Sequence, residues 1–401
     1  MKNNNFSTKQ MIFFLPIGIF RDENTKRDPG SIPIGFSKLG YNVTLMVNKM
    51  NATNLPSDID IIQLFPNLSD NLIDDMFNIA KIKKNMKRLF EHIFYKLIES
   101  MKAVKIFIRK DPDLILVEYK DLSALISVAI YRLLCKIIFR NSRKKFIIKQ
   151  DVSPEVIKNI HQNKNITSIF YDIWQLLFSI VFDINIVETD CAYNELLKLP
   201  FSKMLRKKLK IVPNGYANPK FENENAKREK IILSVGKIKP QKGYDVLISS
   251  FKKVYFIHKD WELKIIGPIE DQEYFKKLKM LIDELKLNDS VKLLGNVDEK
   301  TLEEEYKKAS IFCLLSRDES FGIARVEAMS YGLPVITTTA GCGEQFSKYG
   351  SIIVPIEDTE KSAEAMLKLI EDPRLRIEIS KRQMDAVYSW DDVAKKIYDL
   401  I

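Results

Sequence analysis

The sequence predicts an α/β protein made of two Rossmann-like domains, each with a parallel sheet, that face each other across a cleft. Three observations support this fold class. The chain has 401 residues, which exceeds what one hydrophobic core usually supports. Short apolar runs alternate with helical patterns, as in parallel strands joined by crossover helices. A basic and polar stretch at residues 201–230 interrupts this alternation and has the composition of a linker.

The first domain is assigned to residues 1–205. Its first strand is expected at Ile12–Pro16, inside an apolar run that is too short for a signal peptide. Helices are expected near Ile32–Leu39, within Ser69–Ile108 and near Ala124–Phe139. Further apolar runs, each bounded by turn or charged residues, predict strands at Asn42–Val47, Ile59–Leu64, Leu114–Glu118, Lys145–Lys149 and Ile184–Val187.

The second domain is assigned to residues 206–385, and residues 386–401 are expected to form a closing helix. The same alternation of short apolar runs and helical patterns continues here. It predicts strands at Ile231–Val235, Glu262–Ile266, Val291–Leu294, Ile311–Leu315, Pro334–Thr337 and Ser351–Val354.

The most informative segment is Ser316–Gly343, in which Glu319 and Glu327 bracket seven residues. An apolar strand leads into it, and a helix is expected to begin near Gly322. In a parallel sheet, ligands bind in the crevice at the carboxyl ends of the strands. The N-terminus of a helix at that crevice attracts an anion, and carboxylates beside it suit hydroxyl groups. Phosphate together with many hydroxyls indicates a nucleotide-sugar.

This segment resembles the glutamate-seven-glutamate signature of the retaining family 4 glycosyltransferases, which have the GT-B fold. Three more segments resemble the family in the same order and at the same spacings: IVPNG at Ile211–Gly215, LSVGKIKPQKGYDVLISSF at Leu233–Phe251 and SWDDVAKKIYDLI at Ser389–Ile401. The likeness covers the C-terminal half well and the N-terminal half in outline. It implies that the last helix crosses back onto the first domain. Ile238 stands where the family usually has Leu, and Lys237 stands where many members have Arg.

The resemblance also implies roles for individual residues. Lys237 and Lys242 would neutralise the departing diphosphate, on which negative charge builds during transfer. Glu327 would accept hydrogen bonds from the ribose hydroxyls, and Glu319 would lie by the sugar hydroxyls. Main-chain N–H groups near the sugar and phosphate would come from Ser320, Phe321, Gly322 and Ile323, and a glycine loop with Gly343 and Glu344 would border the same cleft.

The N-terminal domain would hold the acceptor, and its candidate residues match the family less closely. Gly30, expected in the loop after the first strand, stands where the family has a glycine-rich loop, but the usual second glycine is absent. A plain Pro-Gly turn is an equal alternative there. Gln150 and Asp151 follow a strand where many relatives carry His-Asp, with a polar strand end as the alternative.

Cysteine and histidine usage bears on cofactors and compartment. Four cysteines show no paired spacing, so we expect reduced thiols in a cytosolic protein. Three histidines lie far apart, and the two D-x-D patterns, Asp58–Asp60 and Asp111–Asp113, flank strands. We therefore expect no metal and no cofactor, the donor itself being a substrate.

The net charge of +10 suits nucleic acid, an anionic membrane surface or a pyrophosphate-bearing substrate. One dense basic region interleaves with apolar residues at helical spacing, which is typical either of a helix on an anionic membrane or of a core-facing stripe with a solvated basic face. This basic region comprises Lys81, Lys83, Lys84, Lys87, Arg88, Lys102, Lys105, Arg109 and Lys110. Two more basic clusters, Arg140–Lys145 and Lys203–Lys210, favour a peripheral site on the inner membrane face.

The sequence thus predicts a retaining hexosyl-type transferase that uses a nucleotide-diphosphate sugar and a lipid-linked or polysaccharide acceptor. It is expected in the cytoplasm, with inner-membrane attachment left open. Another GT-B activity, either an inverting transferase or a nucleotide-sugar epimerase, remains an alternative. A basic nucleic-acid-binding protein is a further alternative, but aromatic-basic, zinc and helix-turn-helix motifs are missing from the sequence.

Overall fold

The structure is a computed structural model that describes residues 9–25, 27–71, 73, 86–138, 143–162, 166–216 and 228–401. Its described residues form two sheets, and all strand pairs in both are parallel. The prediction of two parallel-sheet α/β domains is confirmed. Strands with both faces covered by helices are expected to be apolar throughout, and strands such as Leu114–Glu118 and Ile231–Val235 are buried along their whole length.

The first sheet has seven strands in the order β3-β2-β1-β4-β5-β6-β7, and the second has six in the order β10-β9-β8-β11-β12-β13. The first sheet contains β1 Gln10–Phe20, β2 Asn42–Met50, β3 Asp60–Gln63, β4 Leu114–Glu118, β5 Lys145–Lys149, β6 Ile184–Val187 and β7 Leu209–Ile211. The second contains β8 Ile231–Val235, β9 Glu262–Ile266, β10 Val291–Gly295, β11 Ile311–Leu314, β12 Val335–Thr338 and β13 Ile352–Val354. The strand order reverses beside β1 in the first sheet and beside β8 in the second, which is where ligands bind in open parallel sheets.

The helices cover both faces of the two sheets. Those of the first half are α1 Asp22–Thr25, α2 Asp28–Lys38, α3 Met86–Lys110, α4 Leu122–Ile137, α5 Pro154–Gln162, α6 Ile166–Val181, α7 Asp190–Leu196 and α8 Ser202–Lys208. Those of the second half are α9 Tyr244–Ile257, α10 Gln272–Glu284, α11 Glu299–Lys308, α12 Ile323–Ser330, α13 Thr359–Glu371, α14 Pro373–Ala386 and α15 Trp390–Tyr398. Short 3-10 turns occupy Pro240–Lys242 and Gly343–Tyr349.

Three elements differ from the expectations drawn from the sequence. Strand β1 continues past Pro16 to Phe20, with a register shift between Leu15 and Ile19. Residues 202–211 form α8 and β7 where a linker was expected, and residues 217–227 lie outside the described part. Gly30 lies inside the first turn of α2 and not in a loop. A helix tolerates Pro29 in its first turn, because the backbone N–H groups there have no acceptor within the helix and proline simply lacks one of them.

The last helix, α15, packs on α2 of the first domain. A Cβ on Gly35 would lie 2.4 Å from Cβ of Ala394, so the two helices are in very close contact. Lys38 forms an ion pair with Asp391 at 2.6 Å. Just before α15, the chain runs alongside the first crossing between the domains: the Tyr216 N–H donates to Tyr388 O at 3.0 Å. The chain therefore crosses between the domains twice at one place.

A disulfide also joins the domains, which corrects the expectation that all four cysteines are reduced. Cys191 of α7 bonds Cys342, which lies between β12 and β13. The two residues are 151 positions apart, so local cysteine spacing carried no sign of the pair. Cys135 and Cys313 are free and buried, as expected of inert structural thiols.

Candidate functional site

The candidate site lies at the carboxyl ends of β8, β11 and β12 in the second domain. The loops that follow these strands carry Lys237, Lys242, Glu319 and the glycine loop. Because the carboxyl ends of parallel strands meet at one edge of the sheet, these loops lie side by side. Helix α12 begins in the same place, directly after Gly322, whose φ of +77° is a left-handed conformation that suits glycine.

Lys242 and Glu319 form an ion pair in this site. Lys242 Nζ donates to Glu319 Oε1 at 2.5 Å, and the hydroxyl of Ser316 donates to the same oxygen at 2.8 Å. Both charged side chains are mostly shielded from solvent, with 17% and 10% exposed. An ammonium group at the end of a flexible lysine side chain can exchange a carboxylate partner for the phosphate of a ligand.

Lys237 lies in the loop after β8 and not at the strand end. Its side chain is half exposed and pairs with Glu270 at 2.7 Å, while Lys239 contacts the other oxygen of the same carboxylate at 2.9 Å. The aliphatic part of Lys242 packs over Gly236, so Lys237 and Lys242 belong to neighbouring parts of one loop. Sequence reasoning missed Lys239 because nothing in the motif distinguishes it from the other lysines.

Glu327 occupies a different environment on α12. Tyr306 donates its hydroxyl to Glu327 Oε2 at 3.2 Å, and the Tyr306 ring stacks on Tyr331 with 5.0 Å between centroids. Burial raises the pKa of the Glu327 carboxyl, although the charge of Arg27, in the first domain, opposes this shift. Glu327 thus lies close to the opposite wall of the cleft.

Between the two glutamates, Phe321 and Ile323 hold the loop onto the second domain. Phe321 is buried and its ring contacts that of Phe346 edge-on at 5.8 Å. Ser320 is partly exposed and forms a hydrogen bond with Asp151 of the first domain. Sequence reasoning missed Arg325, which is 0% exposed and donates to the carbonyl of Phe321. The sequence did contain one sign of this residue, because a single arginine among the apolar residues of α12 indicates a charged side chain with a specific partner.

The glycine loop after β12 borders the same edge. Gly341 and Cys342 both have positive φ, +59° and +57°. A Cβ on Gly343 would lie 1.8 Å from the carbonyl oxygen of Thr338, so no other residue fits there. Glu344 is exposed and is the second residue of the 3-10 turn Gly343–Tyr349, and its carbonyl accepts from the hydroxyl of Ser347.

The first domain contributes Asp151, which follows β5. Desolvation raises the pKa of the Asp151 carboxyl, although Lys149 and a hydrogen bond with Ser320 oppose the shift. Asp151 therefore faces the loop that precedes α12 in the second domain. Two more contacts join the walls: Ser153 donates to Asp318 at 2.9 Å, and the Gly341 N–H donates to Glu155 at 3.1 Å.

Gln150 and Gly30 lie away from this contact. Gln150 is 1% exposed and donates to Asn185 of β6 at 3.2 Å. A Cβ on Gly30 would lie 2.5 Å from the Cα of Thr25, so the close approach at this glycine is to its own chain. The structure thus brings Lys242, Glu319, Ser320 and Asp151 together and leaves Gln150 and Gly30 inside the first domain.

A buried charge cluster lies at the carboxyl ends of β4, β5 and β6. Lys149 Nζ contacts Asp28 and Glu188 at 2.8 Å and Glu118 at 3.6 Å, and all four side chains are 7% exposed or less. Desolvation opposes the charge on Lys149, but its acidic neighbours outweigh it and raise its pKa. Desolvation, and then repulsion by Asp28, raise the pKa of Glu118 well above its usual value. The Lys149 ammonium is therefore held by three buried carboxylates, two residues before Asp151.

Comparisons with known proteins bear on the family and the fold of the chain. Residues 217–385 match the family described as glycosyl transferases group 1. An uncharacterized glycosyltransferase of Methanocaldococcus jannaschii is 29% identical over 327 residues, which is 71% of this chain and 77% of that protein. An uncharacterized glycosyltransferase of Haemophilus influenzae is 30% identical over 173 residues, 41% of this chain and 48% of that protein. Mannosylfructose-phosphate synthase of Agrobacterium fabrum is 27% identical over 217 residues, 49% of this chain and 48% of that protein. The chain thus spans about half the length of the last two relatives.

Solved structures match nearly the whole chain. Sucrose-phosphate synthase from Thermosynechococcus elongatus has a TM-score of 0.66 at 18% identity and covers 98% of both chains. Anabaena HepE in complex with UDP has a TM-score of 0.66 at 14% identity, with 97% of this chain and 99% of that chain covered. At such identities the likeness shows the fold. The chain therefore has the two-domain GT-B fold, and its second domain matches the group 1 glycosyl transferases.

Proposed function

We propose that this protein is a retaining glycosyltransferase that moves a sugar from a nucleotide-diphosphate sugar to a hydroxyl acceptor. The observation that carries the proposal is the Lys242–Glu319 pair at the start of α12, with Glu327 held separately by Tyr306. One ammonium group and two carboxylates in distinct environments match a ligand with a diphosphate, a sugar and a ribose. Anabaena HepE, whose solved complexes contain UDP and UDP-glucose, supports this donor class.

In the proposed reaction, the donor replaces the contact between Lys242 and Glu319 with its own contacts to both side chains. When the donor enters, its diphosphate takes the Lys242 ammonium from Glu319, and Lys237 adds a second positive charge. Glu319 then accepts hydrogen bonds from the hydroxyls of the transferred sugar. The positive charges stabilise the leaving diphosphate, on which negative charge builds as the anomeric bond breaks. Transfer on the same face of the sugar retains configuration, with a departing phosphate oxygen taking the acceptor proton.

A membrane-associated acceptor is the second part of the proposal. On α3, large apolar side chains face solvent, including Phe90 at 66% and Phe94 at 61% exposed, whereas Lys96 and Glu99 face inward. Ala103 and Phe107 form a core-facing stripe on the same helix. The exposed apolar side chains lie outside that stripe, on a helix that also carries exposed Arg88, Lys105 and Arg109. Such a face suits an anionic lipid surface and a lipid-linked acceptor.

Parts of the basic sequence lie beyond what is described. Lys81, Lys83, Lys84 and residues 140–142 are outside the described residues, as is the side chain of Lys87. The Lys203–Lys210 cluster is described and adds exposed Lys203, Arg206 and Lys207 around α8. Within the described residues, no helix combines the length and the apolar character needed to cross a membrane.

The donor assignment is tested by thermal shift with UDP-, GDP- and ADP-sugars. A ligand at 100 times its dissociation constant stabilises the protein by about 2.7 kcal/mol. Calorimetry with the matching nucleoside diphosphate then separates the two glutamates. Glu327→Gln weakens its binding by roughly one to two decades, because a hydrogen bond to a charged group contributes about 1.5–3 kcal/mol. Glu319→Gln retains diphosphate binding and loses turnover and sugar discrimination. Equal losses in both variants contradict the assignment.

Two further measurements test the finer parts of the proposal. The anomeric configuration of the product, read by NMR, is that of the donor if the enzyme retains, and inverted if the alternative holds. For the membrane surface, vesicles with anionic lipid pull down the protein, whereas zwitterionic vesicles do not. Phe90→Ser together with Phe94→Ser abolishes the anionic-vesicle binding and leaves turnover of a soluble acceptor unchanged. Binding that survives this change refutes α3 as the docking surface.

A further inference from the structure

Arg325 is a fully buried charged side chain that the proposed reaction does not use. Its guanidinium bonds two loops of the donor site at once. Nε and Nη2 donate to the carbonyl of Phe321 at 2.8 and 2.5 Å, and Nη2 also donates to the carbonyls of Ala340 and Gly341 at 3.3 and 3.1 Å. Nη1 donates to the hydroxyl of Thr337 at 3.3 Å. One side chain therefore connects the loop before α12 with the glycine loop after β12.

Three glycines surround the same guanidinium. A Cβ added to Gly322 would lie 2.6 Å from Nε of Arg325, one on Gly341 would lie 3.0 Å from Nη2, and one on Gly343 would lie 3.1 Å from Nη1. Contacts of this length leave no room for a side chain at these positions. The glycines of both loops thus make space for Arg325, and this gives them a role separate from any ligand.

The charge of Arg325 is held mainly by backbone carbonyls. Among the described residues, no carboxylate oxygen forms an ion pair with it within 4.0 Å, although Glu319 and Glu155 attract it from farther away. Its guanidinium lies 4.5 Å from the centroid of the Phe346 ring. The planar guanidinium of Arg325 donates in fixed directions to carbonyls of both loops. It therefore defines the spacing of the loops more tightly than a flexible side chain would.

We propose that Arg325 is a positioning residue that holds the Phe321–Ile323 loop and the Gly341–Gly343 loop at a fixed separation. The main-chain N–H groups of both loops then face the diphosphate and sugar of the donor together. This inference rests on the proposed transferase function. Lysine cannot replace arginine here, because one ammonium group lacks the fork that reaches Phe321 O and Gly341 O in a single geometry.

The test compares Arg325→Lys with Arg376→Lys as a matched control. Arg376 also belongs to the second domain, donates to the carbonyls of Leu369 and Ile370, and lies 5.9 Å from the Trp261 ring. Its replacement removes the same kind of contacts away from the two loops. Three quantities are measured: amide hydrogen exchange of the ligand-free protein, kcat and donor KM for the sugar nucleotide chosen by the thermal-shift panel, and affinity for UMP, GMP or AMP with the matching base.

In Arg325→Lys we expect amide exchange at residues 321–323 and 341–343 to accelerate at least about tenfold. We expect kcat to fall about 10²-fold, as for a displacement of about 1 Å at a reacting centre. Affinity for the monophosphate stays within about twofold, because Glu327 and not these loops holds the ribose. Arg376→Lys changes none of the three, even where both variants lose similar thermal stability.

The proposal is overturned if amide hydrogen exchange at residues 321–323 and 341–343 is as slow in Arg325→Lys as in the wild type. So does a kcat loss no larger than that of Arg376→Lys, since a purely structural role would affect both variants alike. Wild-type protein that turns over no sugar nucleotide refutes the transferase function instead. The exchange measurement still decides in that case whether Arg325 holds the two loops.

Discussion

The bond between Cys191 and Cys342 leads to a stability prediction whose size follows from the chain. Its two residues are 151 positions apart, and a cross-link over that distance restricts the unfolded chain by up to about 5 kcal/mol. Unfolding entropy of about 2.1 cal/mol/K per residue, over a chain of 401 residues, converts this into a shift of up to about 6 °C. Reduction should therefore lower the melting temperature by several degrees.

The assay compares the oxidised protein with protein treated with dithiothreitol, which supplies the two electrons and two protons that convert the bond into two thiols. Thiol titration under denaturing conditions counts two reactive cysteines before reduction and four after it. The double variant Cys191→Ser/Cys342→Ser is the control, because it shows two thiols and no response to reductant.

Three outcomes would refute this reasoning. Four titratable thiols in protein exposed to oxidised glutathione would mean that the bond does not form. A melting temperature that does not respond to reductant would mean that the cross-link adds nothing to stability. If reductant lowered the melting temperature of the double serine variant by the same amount, the effect would come from something other than this bond.

The remaining predictions concern charge. Lys242→Met should lower turnover by roughly 10²–10³-fold while the fold persists, because a preorganised cation at the leaving group is lost. Turnover and melting temperature are measured on the same preparation. Turnover equal to that of the wild type would remove Lys242 from the mechanism. EDTA should leave sugar transfer intact, since Lys237 and Lys242 are assigned to the diphosphate; complete loss that Mg²⁺ or Mn²⁺ restores would contradict this. Burial raises the pKa of Glu99 to about 7 despite its ion pair with Lys96, so the folded state binds that proton more tightly than the unfolded chain. The contribution of this proton to the free energy of unfolding is complete below about pH 4.5 and is lost as pH rises to about 7, a change of about 3 kcal/mol. Urea denaturation at pH 5 and pH 8 measures this difference, and Glu99→Gln should remove it.

The strands were predictable because both sheets are parallel and covered by helices on both faces. Such strands are continuous apolar runs, and Leu114–Glu118, Lys145–Lys149 and Ile184–Val187 were located to the residue. Strand β7, Leu209–Ile211, was missed because it is three residues long and carries two exposed positions. Its place in the sheet comes from pairing with β6, which no local pattern records.

The candidate site was predictable where one segment of chain supplies it. Glu319, Ser320 and Glu327 belong to a single loop and helix, so spacing alone places them at one sheet edge. Contacts made across the fold were not predictable in the same way. The pairing of Lys242 with Glu319, the bonds from Arg325 to the glycine loop and the bridge to Cys342 all depend on how separate loops meet.

The same bridge also determines how the two domains can move. Near Tyr216 and Tyr388 the two chain crossings are hydrogen-bonded together, so they act as one pivot. A body held at one pivot can turn about three axes, whereas a body held at a second point can turn only about the line joining the two. Oxidation of Cys191 and Cys342 therefore adds a second point of attachment, which restricts the relative rotation of the two domains to the line that joins this point with the pivot.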